Sequence, residues 1–138
     1  MFVRWRQRPS GRLSARLVEN QRADDRVLQQ HIAELGAIAG EALAQPHEIA
    51  GIKGRRAFWA TANAALARLS NRIDVAADGA ARAALHARVP MVTPDELALL
   101  ALDEAEHDAA LWQHQSDGAH DIVAARQRLI EAAQRAGR

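Results

Sequence analysis

The chain reads as an α+β protein: a small N-terminal three-stranded antiparallel sheet followed by three to four α-helices, the last two forming an antiparallel helical hairpin. Three observations carry that reading. Residues 2–36 alternate apolar and long polar side chains with the period of a strand, and turn chemistry interrupts them twice. Beyond Gly36 the sequence turns alanine-rich, with apolar residues recurring at three- and four-residue steps. Finally, Thr93-Pro94-Asp95-Glu96 has the form of a helix start, with a capping threonine, proline at the first helical position and acids where the helix dipole favours them.

The first strand is predicted over Phe2 to Arg8. Phe2, Arg4, Arg6 and Arg8 share one side of it, and Val3, Trp5 and Gln7 share the other. Pro9-Ser10-Gly11 supplies a reversal, because proline pre-sets φ and glycine accepts positive φ. In the second strand, from Arg12 to Arg22, Leu13, Ala15 and Leu17 alternate with Arg12, Ser14 and Arg16 until Val18 interrupts the pattern. Ala23-Asp24-Asp25 reverses the chain again. A third, less regular run spans Val27 to Leu35, with Leu28 and Ile32 as its inward-facing residues, and Gly36 ends it.

A short helix is expected near Ala37 to Ala44. Pro46, Gly51 and Gly54 then read as a linker. From Gly54 onward Phe58, Ala62, Ala65, Leu66, Leu69 and Ile73 form one helical stripe, which continues through Ala84 and Leu85 unless Asp78-Gly79 breaks it. The Pro94 helix runs to about Gln115. Ala98, Leu102, Ala105 and Ala109 give it a small-residue stripe suited to close helix approach. Asp117-Gly118 reads as a turn, and the last helix sets Ile122, Ala125, Leu129, Ala132 and Ala136 on one face. The division that follows is a basic β-segment over 1–36, a linker with a short helix over 37–53, and a helical segment over 54–138.

Length and composition narrow the function classes. A chain of 138 residues has room for one modest core. It has no cysteine, which excludes disulfides and thiolate zinc sites and makes a reducing compartment the default. No run approaches the length of a membrane span, and Met1 to Arg12 is too polar for a secretory signal, so a cytoplasmic location is expected and no membrane role. The formal net charge is only +1, but it is unevenly spread. Arginines dominate the first half, whereas acids dominate from residue 93 onward.

Arg4, Arg6 and Arg8 have the alternate spacing by which a β-ribbon aims arginines at phosphates or base edges, and Arg12 and Arg16 join them across the hairpin. The other reading of the same pattern is a solvated strand face whose charges keep an edge from aggregating. Gly51-Ile52-Lys53-Gly54-Arg55-Arg56 is a second candidate: free backbone N–H groups at a helix start beside Lys53, Arg55 and Arg56 would suit a phosphate. A Gly-x-x-Gly clamp also occurs in one RNA-binding fold, although the flanking strand pattern of that fold is missing; an ordinary linker with solvated charges is the alternative.

Chemistry beyond binding is not indicated. Glu104-x-x-His107, with Asp103, Asp108 and His114 nearby, is half of a carboxylate-bridged di-iron pattern, but the sequence has no second half, since Asp117-x-x-His120 crosses the Asp-Gly turn. No metal, no cofactor and no catalytic residue is therefore assigned. Serine nucleophile elbows, Walker loops and dinucleotide fingerprints are absent, so the expectation is a non-catalytic protein.

Met1-Phe2-Val3-Arg4, Arg8-Pro9-Ser10-Gly11, Leu17-Val18-Glu19-Asn20 and His31-Ile32-Ala33-Glu34-Leu35-Gly36 together resemble the amino-terminal β-hairpin segment of insertion-sequence transposases of the DDE class. The resemblance covers about residues 1–36 and implies a role in handling DNA in bacteria. It does not extend to the RNase H-like catalytic domain, so transposase activity is not implied. The whole chain is also similar to small proteobacterial proteins of unassigned function. Two function classes follow: an accessory protein that binds double-stranded DNA through Arg4, Arg6, Arg8, Arg12 and Arg16, with Lys53, Arg55 and Arg56 as auxiliaries; or a module in which the C-terminal helices pair with another copy or another protein.

Overall fold

The computed structural model describes residues 1–116 and 122–137, with side chains through Gln113 and from Gln127 onward. The elements are β1 (Phe2–Gln7), β2 (Arg12–Ala23), β3 (Arg26–Ala39), α1 (Gly40–Ala44), α2 (Ile49–Arg68), α3 (Val75–Arg88), α4 (Pro94–Ser116) and α5 (Ile122–Ala136). They fall into two compact units, 1–93 and 94–138. The fold is α+β, as the strand and helix periodicities require. Among the described residues no helix is long and apolar enough to cross a membrane.

In the first unit the sheet has the order β1-β2-β3, antiparallel throughout. Phe2 pairs with Val18, Arg4 with Arg16 and Arg6 with Ser14, so each of these pairs projects from one face; Val3 with Leu17 and Trp5 with Ala15 project from the other. Gly11, at φ 84, closes the first turn, where the Arg8 amide donates to the Arg12 carbonyl at 2.8 Å.

Within this unit the helices cover only the second face, α2 against β3 and α3 against β1. Leu13, Ala15, Leu17, Leu35, Ile38, Phe58, Trp59, Ala62, Leu66 and Leu85 make the core there, with Val3, Trp5 and Ile32 packed at its edge. Trp5 stacks on Phe58 at 6.1 Å between ring centroids, and the Arg88 guanidinium lies over the Trp5 ring.

The third strand departs from expectation. Its pairing with β2 slips between Ala15 and Arg16 and again between Leu17 and Val18, leaving Leu35 and Ile32 as extra residues. Each bulge breaks the two-residue period, which is why the run looked irregular. Leu28 is not inward: it is 56% exposed, on an arm where β2 and β3 run on together beyond the last β1 pair. Nor does Gly36 end the strand, which continues to Ala39; Gly36 sits at φ 146 with the Phe58 ring 3.3 Å from where a Cβ would stand.

Residues 49–53 are helix, not linker. Helix α2 begins at Ile49, five residues before Gly54, and its buried stripe Ile52, Arg55, Trp59, Ala62, Leu66 steps by three and four. Gly51 and Gly54 are packing residues: a Cβ on Gly51 would run into the Gln45 carbonyl oxygen, and one on Gly54 would stand 2.9 Å from the Ala42 Cβ. The long helical stripe also breaks earlier than Asp78-Gly79. It stops at Leu69, and Asp74 caps α3 by accepting from the Ala77 amide at 2.7 Å. Asp78 lies inside α3, paired with Arg82 at 2.9 Å.

In the second unit α4 and α5 pack on each other, with Trp112 and Ala105 of α4 and Leu129, Ala132 and Ala136 of α5 lining the cleft between them. The Asp117-Gly118 turn and the Asp117-x-x-His120 spacing lie outside the described residues.

Candidate nucleic-acid interface

The face of the sheet opposite α2 and α3 carries Phe2, Arg4 and Arg6 from β1, Ser14, Arg16, Val18, Asn20 and Arg22 from β2, and Glu34, His31 and Gln29 from β3. Strand alternation alone puts them together, since Val3, Trp5, Leu13, Ala15 and Leu17 must face the core. Arg4 and Arg6 are exposed, and Arg16 is half-buried.

Arg4 and Arg16 stand directly opposite each other in the register, a like-charge pair that a sheet tolerates poorly. Glu34 offsets part of this charge. Its Oε1 lies 2.6 Å from the Arg16 Nε, 3.9 Å from Arg8 Nη2 and 3.9 Å from His31 Nε2. The Arg16 contact is charge against charge without the alignment of a hydrogen bond, and the Nε itself is shielded from solvent. Arg4 donates through Nη1 to the Gln29 Oε1 at 2.8 Å. The Arg6 guanidinium has no partner among the described residues. Arg4, Arg6, Arg16, Val18, Gln29 and His31 enclose a cleft of about 190 Å³ on this face.

Of the sequence-predicted residues, Arg4, Arg6 and Arg16 therefore converge. Arg8 stands at the strand end, where its Nε donates to the Ser14 Oγ at 3.4 Å, and Arg12 donates to the Ala37 carbonyl at 3.2 Å, tying β2 to β3. Gln29, His31 and Val18 were missed. Val18 follows from the alternation of β2 itself, two residues past Arg16, whereas Gln29 and His31 depend on the β2–β3 register, which the bulge at Ile32 shifts.

The second candidate does not survive as an anion site at a helix start. The N–H groups of residues 54–56 lie in the second turn of α2, already inside the helix. Arg55 is 1% exposed, and its guanidinium donates to the carbonyls of Pro46 at 2.7 Å, Met91 at 2.7 Å and Pro90 at 3.0 Å. It pins the 45–46 turn and the 89–92 connector to α2 and cannot reach a phosphate. Trp59 adds a second tie to the connector, donating through Nε1 to the Val89 carbonyl at 3.1 Å. Lys53 and Arg56 remain on the surface of α2.

Glu104 and His107 are exposed on α4, and among the described residues no group of three or more His, Asp or Glu side chains is placed to hold a metal ion. The fold and the site define an α+β unit whose sheet is helix-covered on one face and arginine-lined on the other. No family model, curated protein or solved structure matches the chain.

Proposed function

We propose that this protein is a non-catalytic accessory protein that binds double-stranded DNA through the arginine-lined face of its N-terminal sheet. The observation that carries the reading is the placement of Arg4, Arg6 and Arg16 together on the face opposite α2 and α3, with Glu34 as the acid beside them. Opposed arginines at this density cost sheet stability by mutual repulsion, and a polyanion removes that cost. Arg22, farther along the same face of β2, extends the basic track onto the projecting arm. The likeness of residues 1–36 to transposase hairpins favours an association with mobile DNA.

The test is a titration of a fluorescent duplex at low ionic strength. Binding is expected, weakening as salt rises with a logarithmic slope of roughly 0.9 per phosphate neutralised. An Arg4→Ala/Arg6→Ala/Arg16→Ala variant should lose most of that affinity. Absence of binding, or equal binding by the variant, would falsify the reading.

A second reading has its own observation. Leu97, Leu99, Leu102, Leu111 and Ile130 of α4 and α5 are each 45–61% exposed, and exposed apolar side chains that form one patch mark an interaction surface. It makes the second unit an interaction module, with a second copy or another protein as partner, and it is compatible with DNA binding by the first.

A further inference from the structure

Resting on the sheet-face reading, we infer that the cleft between Arg4, Arg6 and Arg16 is a seat for a dianionic phosphate monoester, specifically the terminal 5′-phosphate of a nucleic-acid strand. The argument is one of charge, volume and neighbours. The guanidiniums of Arg4, Arg6 and Arg16 less the Glu34 carboxylate leave two uncompensated positive charges around one cleft. An internal phosphodiester brings one negative charge, whereas a terminal phosphate brings close to two near neutral pH and three strong acceptor oxygens. The terminal group is the better match.

The cleft is also a place rather than a track. About 190 Å³ is bounded on the β1 side by Arg4 and Arg6, on the β3 side by Gln29 and His31, and at its floor by Val18, which is 4% exposed. Arg4 is held in position by Gln29, and Arg16 by Glu34, so two of the three forks are oriented before a ligand arrives. Arg6, whose guanidinium has no partner among the described residues, is left to close on the phosphate and take it bidentately.

Phe2 completes the site. It lies opposite Val18 in the register, on the arginine face, and is 39% exposed. An apolar ring is out of place on a face meant only for backbone phosphates. Beside a terminal phosphate it is a surface on which the end base stacks.

The experiment compares two internally labelled blunt duplexes of one sequence, differing only in 5′-phosphate versus 5′-hydroxyl, titrated with the full chain. The phosphorylated duplex should bind about tenfold tighter, the worth of one charge-assisted hydrogen bond. Arg4→Gln/Arg6→Gln should erase that gap; both side chains are exposed, and an unchanged melting curve certifies the fold. Arg22→Gln, outside the cleft, should weaken both duplexes equally and keep the gap. Equal affinity for the two duplexes overturns the terminal-phosphate site while leaving DNA binding by the sheet intact. Binding of neither duplex overturns both. A gap that persists in Arg4→Gln/Arg6→Gln removes the cleft as its cause. Phenyl phosphate binding as tightly as the duplex end would assign the cleft to a small phosphate ester and overturn the nucleic-acid terminus as its ligand.

Discussion

Arg55 shows how a residue's type can mislead about its place. In the sequence it belongs to a basic cluster with Lys53 and Arg56; in the fold it occupies the core stripe of α2 between Ile52 and Trp59, and its guanidinium donates to the carbonyls of Pro46, Pro90 and Met91. Replacing it with methionine keeps the aliphatic stem but strands those carbonyls, so a loss of about 3 kcal/mol is expected in urea unfolding. Lysine should recover little of it, because a single ammonium does not reproduce the guanidinium fork. The glycines give a paired contrast. Gly79→Ala, in α3 with nothing near its missing Cβ, should raise stability by about 0.5–1 kcal/mol, since the helix interior prefers alanine. Gly51→Ala should lower it by about 2 kcal/mol or more, because its Cβ meets the Gln45 carbonyl and the 45–46 turn must move. Thermal melts of the two variants should shift in opposite directions. Both glycines look alike in the sequence, where the backbone that approaches one of them cannot be seen.

At the level of elements, legibility followed the regularity of the period. β1 and β2 were readable because Val3, Trp5, Leu13, Ala15 and Leu17 alternate strictly, and that alternation also put the arginines of the candidate site on one face. β3 was only half readable because two bulges displace Leu35 and Ile32, and with them the partners His31 and Gln29. The α2 boundary was lost because Gly51 and Gly54 act in close packing, while an isolated glycine in a sequence signals a break. The arm formed by β2 and β3 turns through Asp24 and Asp25, at φ 48 and 62, a two-residue reversal in the left-handed region. Asparagine and glycine suit those dihedrals better than two aspartates do. Asp24→Asn/Asp25→Gly should therefore slow amide exchange at Gln21 and Leu28 several-fold, corresponding to about 1 kcal/mol of local stabilisation, with the core amides of Leu17 and Leu35 unchanged.

For the whole molecule the charge is divided between the two units. The first unit carries the arginine-lined face, and the second carries the acids of α4, Asp95, Glu96, Asp103, Glu104, Glu106 and Asp108, beside arginines on α5. That polarity was legible from the sequence, because net charge along a chain needs no fold to be counted. The boundary at Thr93 was not, because it depends on which helices share a core: α2 and α3 close on the sheet, while α4 and α5 close on each other. Two helices bury only one stripe apiece, and Leu99 and Leu102 of α4 remain 52% and 61% exposed. If a second copy covers them, the acidic flank of α4 repels its own image, so the favourable arrangement sets α4 of one copy against α5 of the other. Sedimentation of the full chain should then give a dimer that dissociates on dilution and on Leu99→Glu/Leu102→Glu substitution. Exposed positions tolerate that change without a fold penalty beyond about 0.5 kcal/mol, so the melting of the variant should differ little once protein concentration is matched below the dissociation constant. A wild-type chain that stays monomeric at high concentration would instead leave these leucines to a different protein, and capture by the variant would then fail where capture by the wild type succeeds.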